Sequence, residues 1–203
     1  MLSQSVASAL REAISAGEFQ PGERLSEVKA AERFNCSRNT LRESFTRLAA
    51  ERIVERIPNR GVFLAMPDAD YIRDLFAARA AIEPAAVRWG TFPDAPSLVT
   101  LTSSAFDYAA RGEHQEVSAI NQRFHRTLVA ALGSPTLNEQ MDNLLARMRL
   151  TFLLAIPRYP QLHADHIQGN ITLATLIADG NRREAATLAH DSLMNTCEKI
   201  LAV

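Results

Sequence analysis

The chain has 203 residues, 47% hydrophobic and 22% charged, with a formal net charge of −1. That length suits one or two domains, and the composition is that of a globular protein rather than a disordered or collagenous one. No apolar run approaches the ~20 residues needed to span a bilayer, and no basic-then-apolar leader opens the chain, so a cytoplasmic protein without a membrane partner is expected.

Taken in chain order, Val6, Leu10, Ala13 and Ile14 form an amphipathic stripe, and Gly17 can end that first helix. Gln20-Pro21-Gly22 signals a turn. Ser26 can cap a second helix through Val28, Ala31 and Phe34, which Asn35 can close in the left-handed conformation. Ser37 then caps a third. Along it Leu41, Phe45 and Leu48 share one face, while Arg38, Asn39, Arg42 and Thr46 fall largely on the other. Such a helix fits the DNA major groove, because Arg reads guanine, Asn reads adenine and Thr touches bases or phosphates. Alone it reads equally well as a surface helix with a solvated basic face; its neighbours decide.

Two helices separated by a three-residue break form a helix-turn-helix. Ile53 to Ile57 and Val62 to Ala65 flank the turn residues Pro58-Asn59-Arg60-Gly61 and read as a β-hairpin with a basic tip. Helix-turn-helix plus hairpin is a winged helix. Residues 1–66 carry 10 Lys or Arg against 8 Asp or Glu, and residues 67–203 carry 12 against 15. A mildly basic module makes few phosphate contacts, which argues for DNA binding as a homodimer.

Met66-Pro67-Asp68 marks the boundary, giving a DNA-binding domain over 1–66 and a second domain over 67–203. Beyond it the pattern predicts six helices near 69–90, 96–111, 116–132, 136–156, 160–179 and 182–201, separated by Pro and Gly breaks. The fold class is therefore mainly α: a winged helix-turn-helix followed by an antiparallel bundle. Cys36 and Cys197 lie in different predicted domains, so no disulfide is expected.

The chemistry of the bundle lies in its histidines. His125, His166 and His190 each fall on an apolar stripe of a different helix. One such histidine is usually a hydrogen-bonded core residue, but three pointing inward are satisfied together by one divalent metal. Asn121, four residues before His125, can reach the same ion. The expected set is Asn121, His125, His166 and His190, with zinc first and nickel or manganese as alternatives. Arg79, Arg147 and Arg149 can line the cavity and hold a small carboxylic acid effector. His163 is expected to be exposed or just behind the ligands, and His114 to be polar surface.

Residues 7–65 resemble the N-terminal domain of GntR-family transcription regulators. The matching residues are Leu10-Arg11-Glu12-Ala13-Ile14, Gly17, Pro21 to Glu27, Ala31-Glu32, Ser37-Arg38, Leu41-Arg42-Glu43, Arg47-Leu48 and Asn59-Arg60-Gly61. The resemblance implies that Arg38 and Arg42 carry base and phosphate contacts, that Asn39 and Thr40 tune sequence choice and that Gly61 approaches the minor groove; Arg24 and Arg60 can lie on the same surface as Arg38 and Arg42, and Ser37 completes the expected DNA-binding set. Val28 stands where many members carry an Arg that reaches DNA. The second half resembles the FCD effector domain of the FadR-type branch, through Asn121-x-x-Phe124-His125, Asp165-His166, His190, Arg79-x-x-Ile82-Glu83 and Gly133-Ser134-Pro135. Here Asn121 replaces the usual Asp, a weaker metal ligand. The resemblance implies a repressor released from its operator by a small acid. Two other readings are a metal-dependent hydrolase and a winged helix used only for protein contacts. The absence of a His-Glu-x-x-His motif, a nucleophile elbow or a phosphate loop speaks against catalysis.

Overall fold

The structure, a computed structural model, describes residues 2–203, the side chains of Leu2 and His163 apart; the expectation for His163 thus lies outside the described residues. Among these residues stand nine helices and three short strands: α1 (Leu2–Ser15), β1 (Arg24–Leu25), α2 (Glu27–Arg33), α3 (Arg38–Ala50), β2 (Val54–Ile57), β3 (Gly61–Leu64), α4 (Ala69–Trp89), α5 (Ala95–Ala110), α6 (His114–Ala130), α7 (Pro135–Ala155), α8 (Leu162–Ala178) and α9 (Arg182–Leu201). They form two compact units. One comprises residues 1–68 with 145–154; the other comprises residues 69–144 with 155–203.

In the first unit the local signals act as the sequence dictates. Gly17 ends α1 at φ +81°, with its N–H on the Ile14 carbonyl at 2.9 Å and the Glu18 N–H on the Ala13 carbonyl at 3.1 Å, the paired bonds of a Schellman end. The Ser26 and Ser37 hydroxyls accept from the N–H groups of Lys29 and Thr40 at the starts of α2 and α3. Asn35 closes α2 at φ +45°. Leu41, Phe45 and Leu48 are fully buried, as are Leu10 and Ile14 of α1, so α3 packs its apolar back on α1. The hairpin gains a third strand: Arg24 and Leu25 pair antiparallel with Phe63 and Val62, giving the order β1-β3-β2. Asn59 and Gly61, at φ +60° and +110°, turn the wing.

Residues 145–154, the end of α7, belong to this same unit. A Cβ added to Gly17 would collide with the Arg149 guanidinium, and the positive φ strains any side chain there. Gly17→Ala is therefore expected to cost about 1–3 kcal/mol. A drop of several degrees in thermal midpoint checks it, and an unchanged midpoint refutes it.

In the second unit α4 packs on α9 and α6, and α8 packs on α5, α6 and α9. Val87, Leu98, Phe124, Leu128, Leu173, Ala174 and Ile177 form its buried centre, joined by Ala185 and Ala189 of α9. α4 runs unbroken across Pro84.

Candidate functional site

The winged unit presents the groups that chemistry assigns to nucleic acid on its outside. Arg24, Ser37, Arg38, Asn39, Arg42, Arg60 and Gly61 are exposed and Thr40 is half-buried. Thr40 shares a 2.9 Å hydrogen bond with the Ser37 hydroxyl, so both are partly engaged in the cap. Arg42 is held in place: its Nε and Nη2 donate to Glu27 of α2 at 3.1 and 3.0 Å. Arg56 of β2 donates to the Arg42 carbonyl at 3.0 Å. At the wing the Arg24 guanidinium lies beside Gly61, where an added Cβ would meet its Nε at 3.4 Å. The Arg60 guanidinium sits 5.7 Å from the Phe63 ring centre. Val28 is exposed on α2.

The second unit contains a cavity of about 320 Å³ lined from α4, α6, α8 and α9, within the range of small-ligand sites. Its base is a buried charged triad. Glu83 Oε1 accepts from Arg79 Nε at 2.6 Å, and Glu83 Oε2 meets His125 Nδ1 at 2.7 Å. Arg79 and Glu83 are each 1% exposed. Burial by itself pushes the Glu83 carboxyl up, but Arg79 and His125 together bring it down to about 2, so it is ionised. With Nδ1 facing a carboxylate, that nitrogen carries the proton and Nε2 is left for a ligand. The opposite rim holds Tyr159, Asp165 and Lys199: Lys199 donates to Asp165 at 2.8 Å and the Tyr159 hydroxyl bonds the same carboxylate. The Lys199 hydrogen bond holds the Asp165 carboxyl below its ordinary range. Between base and rim the lining mixes neutral polar side chains, Gln168, Asn170, Ser192, Asn195 and Thr196, with apolar Leu162, Leu173, Ala189 and Leu193.

Of the expected metal ligands, His125 and His166 line this cavity. Asn121 is buried, and its Oδ1 accepts from Asn170 Nδ2 at 2.7 Å. His190 is elsewhere. Its side chain is 53% exposed and its Nδ1 meets Asp191 at 3.0 Å. The reason is helical phase: the buried stripe of α9 runs Ala185, Ala189, Leu193, Cys197, Ile200, and His190 stands at its edge. Among the described residues, no group of three or more His, Cys, Asp or Glu side chains is placed to hold a metal ion. The four expected ligands do not converge as a set, because His190 is exposed and absent from the cavity that His125 and His166 line. Of the expected effector arginines, Arg79 lines the cavity. Arg147 and Arg149 are not among its lining; they are buried in the stretch of α7 that belongs to the winged unit, where burial pushes the Arg149 guanidinium down. His114 opens α6 on the exposed side.

The sequence reading did not assign Glu83, Tyr159, Asn170, Ser192 or Lys199. Glu83 enters it only as part of Arg79-x-x-Ile82-Glu83, whose i, i+4 spacing places it beside Arg79 on a helix. Asn170 becomes visible only when α8 is packed on α6.

Comparison with known proteins agrees with this architecture. Residues 2–64 match the family model for bacterial regulatory proteins, gntR family, and residues 74–194 match the FCD domain. The chain is 26% identical to the Nta operon transcriptional regulator of Aminobacter aminovorans over 91% of this chain and 88% of that protein. It is 28% identical to the HTH-type transcriptional repressor GlaR of Escherichia coli K12 over 89% and 88%. The crystal structure of a GntR transcriptional regulator from Rhodococcus sp. RHA1 superposes with a TM-score of 0.83 at 30% identity, covering 99% of this chain and 98% of that one. No helix among the described residues is long and apolar enough to cross a membrane. A helix-turn-helix whose second helix exposes arginines, a wing and an all-α unit holding a cavity are thus joined in one chain, which belongs to the GntR family of DNA-binding transcriptional regulators and carries an FCD domain.

Proposed function

We propose that this regulator is a repressor that binds its operator as a homodimer and leaves it when a small organic acid enters the cavity of the helical domain. The observation that carries the reading is the division of labour in α3. Its apolar back is fully buried, while Arg38, Asn39 and Arg42 stay exposed on a helix fixed at its start by the Ser37 cap. Side chains of that kind on a rigid helix read base edges, and two copies give the spacing of a two-fold operator. The cavity supports the effector half. Arg79 and Lys199 line it with hydrogen-bond donors, His125 leaves its Nε2 for a ligand, and neutral amides and hydroxyls line part of the wall between them. An acid acts on DNA binding only by preferring one arrangement of the protein, since equal affinity for two arrangements shifts neither.

Selection of the purified chain on random duplex DNA is expected to enrich an inverted repeat. Gel shift on that sequence, titrated with a panel of small hydroxylated and simple carboxylates, is expected to show release by one chemical class. Failure to enrich any sequence removes the DNA-reading half. Enrichment with no acid that binds the helical domain removes the effector half.

A further inference from the structure

The cavity base poses a chemical question. Two neighbouring helices, α6 and α8, bring amide and imidazole side chains to this end of the cavity, and polar side chains from facing helices are what a bundle uses to build a metal centre. The groups delivered are the Asn121 amide and the His125 imidazole from α6, the latter with its Nδ1 already tied to a carboxylate, and the Asn170 amide and the His166 imidazole from α8. Asn121 and Asn170 satisfy each other: the Oδ1 of the first accepts from the Nδ2 of the second at 2.7 Å. An amide oxygen engaged in this way is a poor ligand for a divalent cation, and an amide nitrogen is none at all. Glu83, the nearest carboxylate to His125, is itself bridged between Arg79 and His125 and has both oxygens occupied.

We infer that this cavity recognises its ligand without a metal, and that the Asn121–Asn170 amide pair is what keeps a metal out. The inference deepens the effector site proposed above and rests on it. Recognition then falls to direct hydrogen bonds. The two cations of the wall each carry a carboxylate partner, Arg79 with Glu83 and Lys199 with Asp165, so net charge gives an anion little beyond what water offers. What remains is His125 Nε2 with the neutral groups of Asn170, Ser192, Asn195 and Thr196, all on the cavity lining. Donors and acceptors set along two helices match a ligand that carries several hydroxyls beside its carboxylate. A simple fatty or aromatic acid would offer these polar groups no partner beyond its carboxylate.

The test uses the full chain without a histidine tag, stripped with chelator and dialysed against zinc, nickel or manganese alone, with metal counted by mass spectrometry. The wild type is expected to hold no metal that His125→Ala removes. Uptake unchanged by His125→Ala lies outside the cavity and agrees with the inference. The double substitution Asn121→Asp with Asn170→His replaces the amide pair by two good ligands beside His125, and is expected to gain about one metal per chain. Adding His125→Ala to that background should abolish the gain. One metal per wild-type chain, lost in His125→Ala, overturns the inference. So does a double variant that is folded by circular dichroism and still takes no metal. Should the double variant not fold, the wild-type pair alone decides. Thermal shifts in excess chelator supply an independent readout: stabilisation by a hydroxylated acid under those conditions agrees, and stabilisation that appears only on adding metal overturns. DNA binding, read by gel shift on the same preparations, judges the regulator reading separately.

Discussion

Replacing Glu83 by Ala is expected to destabilise the protein by about 3–5 kcal/mol, the usual consequence of removing one partner from a buried ion pair. The carboxylate is the centre of the triad. Without it the Arg79 guanidinium, 1% exposed, loses its 2.6 Å ion pair, and His125 Nδ1 loses the acceptor at 2.7 Å. Against a total stability of roughly 5–15 kcal/mol, the loss should lower the urea midpoint sharply. A change below about 1 kcal/mol would refute the role given to the triad. The companion substitution Arg79→Met with Glu83→Leu removes both charges, and is expected to recover much of the loss because an apolar pair of similar volume tolerates the interior better. The same geometry fixes a pH dependence. The Glu83 carboxyl is held at about 2 in the folded protein against an ordinary value of 4.5. A depressed folded value means that the stabilisation is complete above the unfolded value and fades as pH falls from about 4.5 toward about 2. Wild type and Glu83→Ala should therefore differ most near neutral pH and converge in acid.

The triad also shows where sequence and structure part. The helix caps were readable, because each depends on one residue beside a short apolar pattern: Ser26, Asn35, Ser37 and Gly17 all act where they stand in the chain. The six bundle helices were readable for the same reason, since proline and glycine breaks bound them. β1 was not: two residues, Arg24 and Leu25, carry no periodicity, and only pairing with β3 makes them a strand. His190 misled because it lies within reach of the buried stripe of α9 in a helical projection, yet one position past Ala189 is enough to turn it out. Arg147 and Arg149 misled because α7 is buried over much of its length, so its pattern does not say which neighbour each side chain meets. Asn121 was noticed as a weak ligand; its true partner, Asn170, is 49 residues away and announces itself only through packing. Local chemistry is written locally, whereas the composition of a cavity depends on the phase of several helices at once.

Substituting Arg38 and Arg42 together by Ala is expected to weaken operator binding at least ~30-fold, since each well-placed base contact is worth about 1–3 kcal/mol. Folding should be nearly unaffected. Both side chains are exposed, and the Arg42–Glu27 pair, with 58% and 35% of the two side chains exposed, is of the surface kind that contributes little to stability. Its value is orientation. Glu27 and the Arg56 contact fix where α3 presents Arg42, so a guanidinium freed by Glu27→Gln keeps its charge but loses its direction. The two substitutions should therefore separate by readout. Loss of Arg38 relaxes the preference at one base in a selected operator pool. Glu27→Gln leaves the salt dependence of binding unchanged while blurring the same pool. By contrast Arg60→Ala, at the wing, should weaken all sequences alike and lower the salt slope by about 1, as expected of a phosphate contact. Equal operator affinity in wild type and the Arg38/Arg42 double variant, measured at fixed salt, would mean that α3 does not read DNA. The exposed basic face of this helix would then be solvated surface and nothing more.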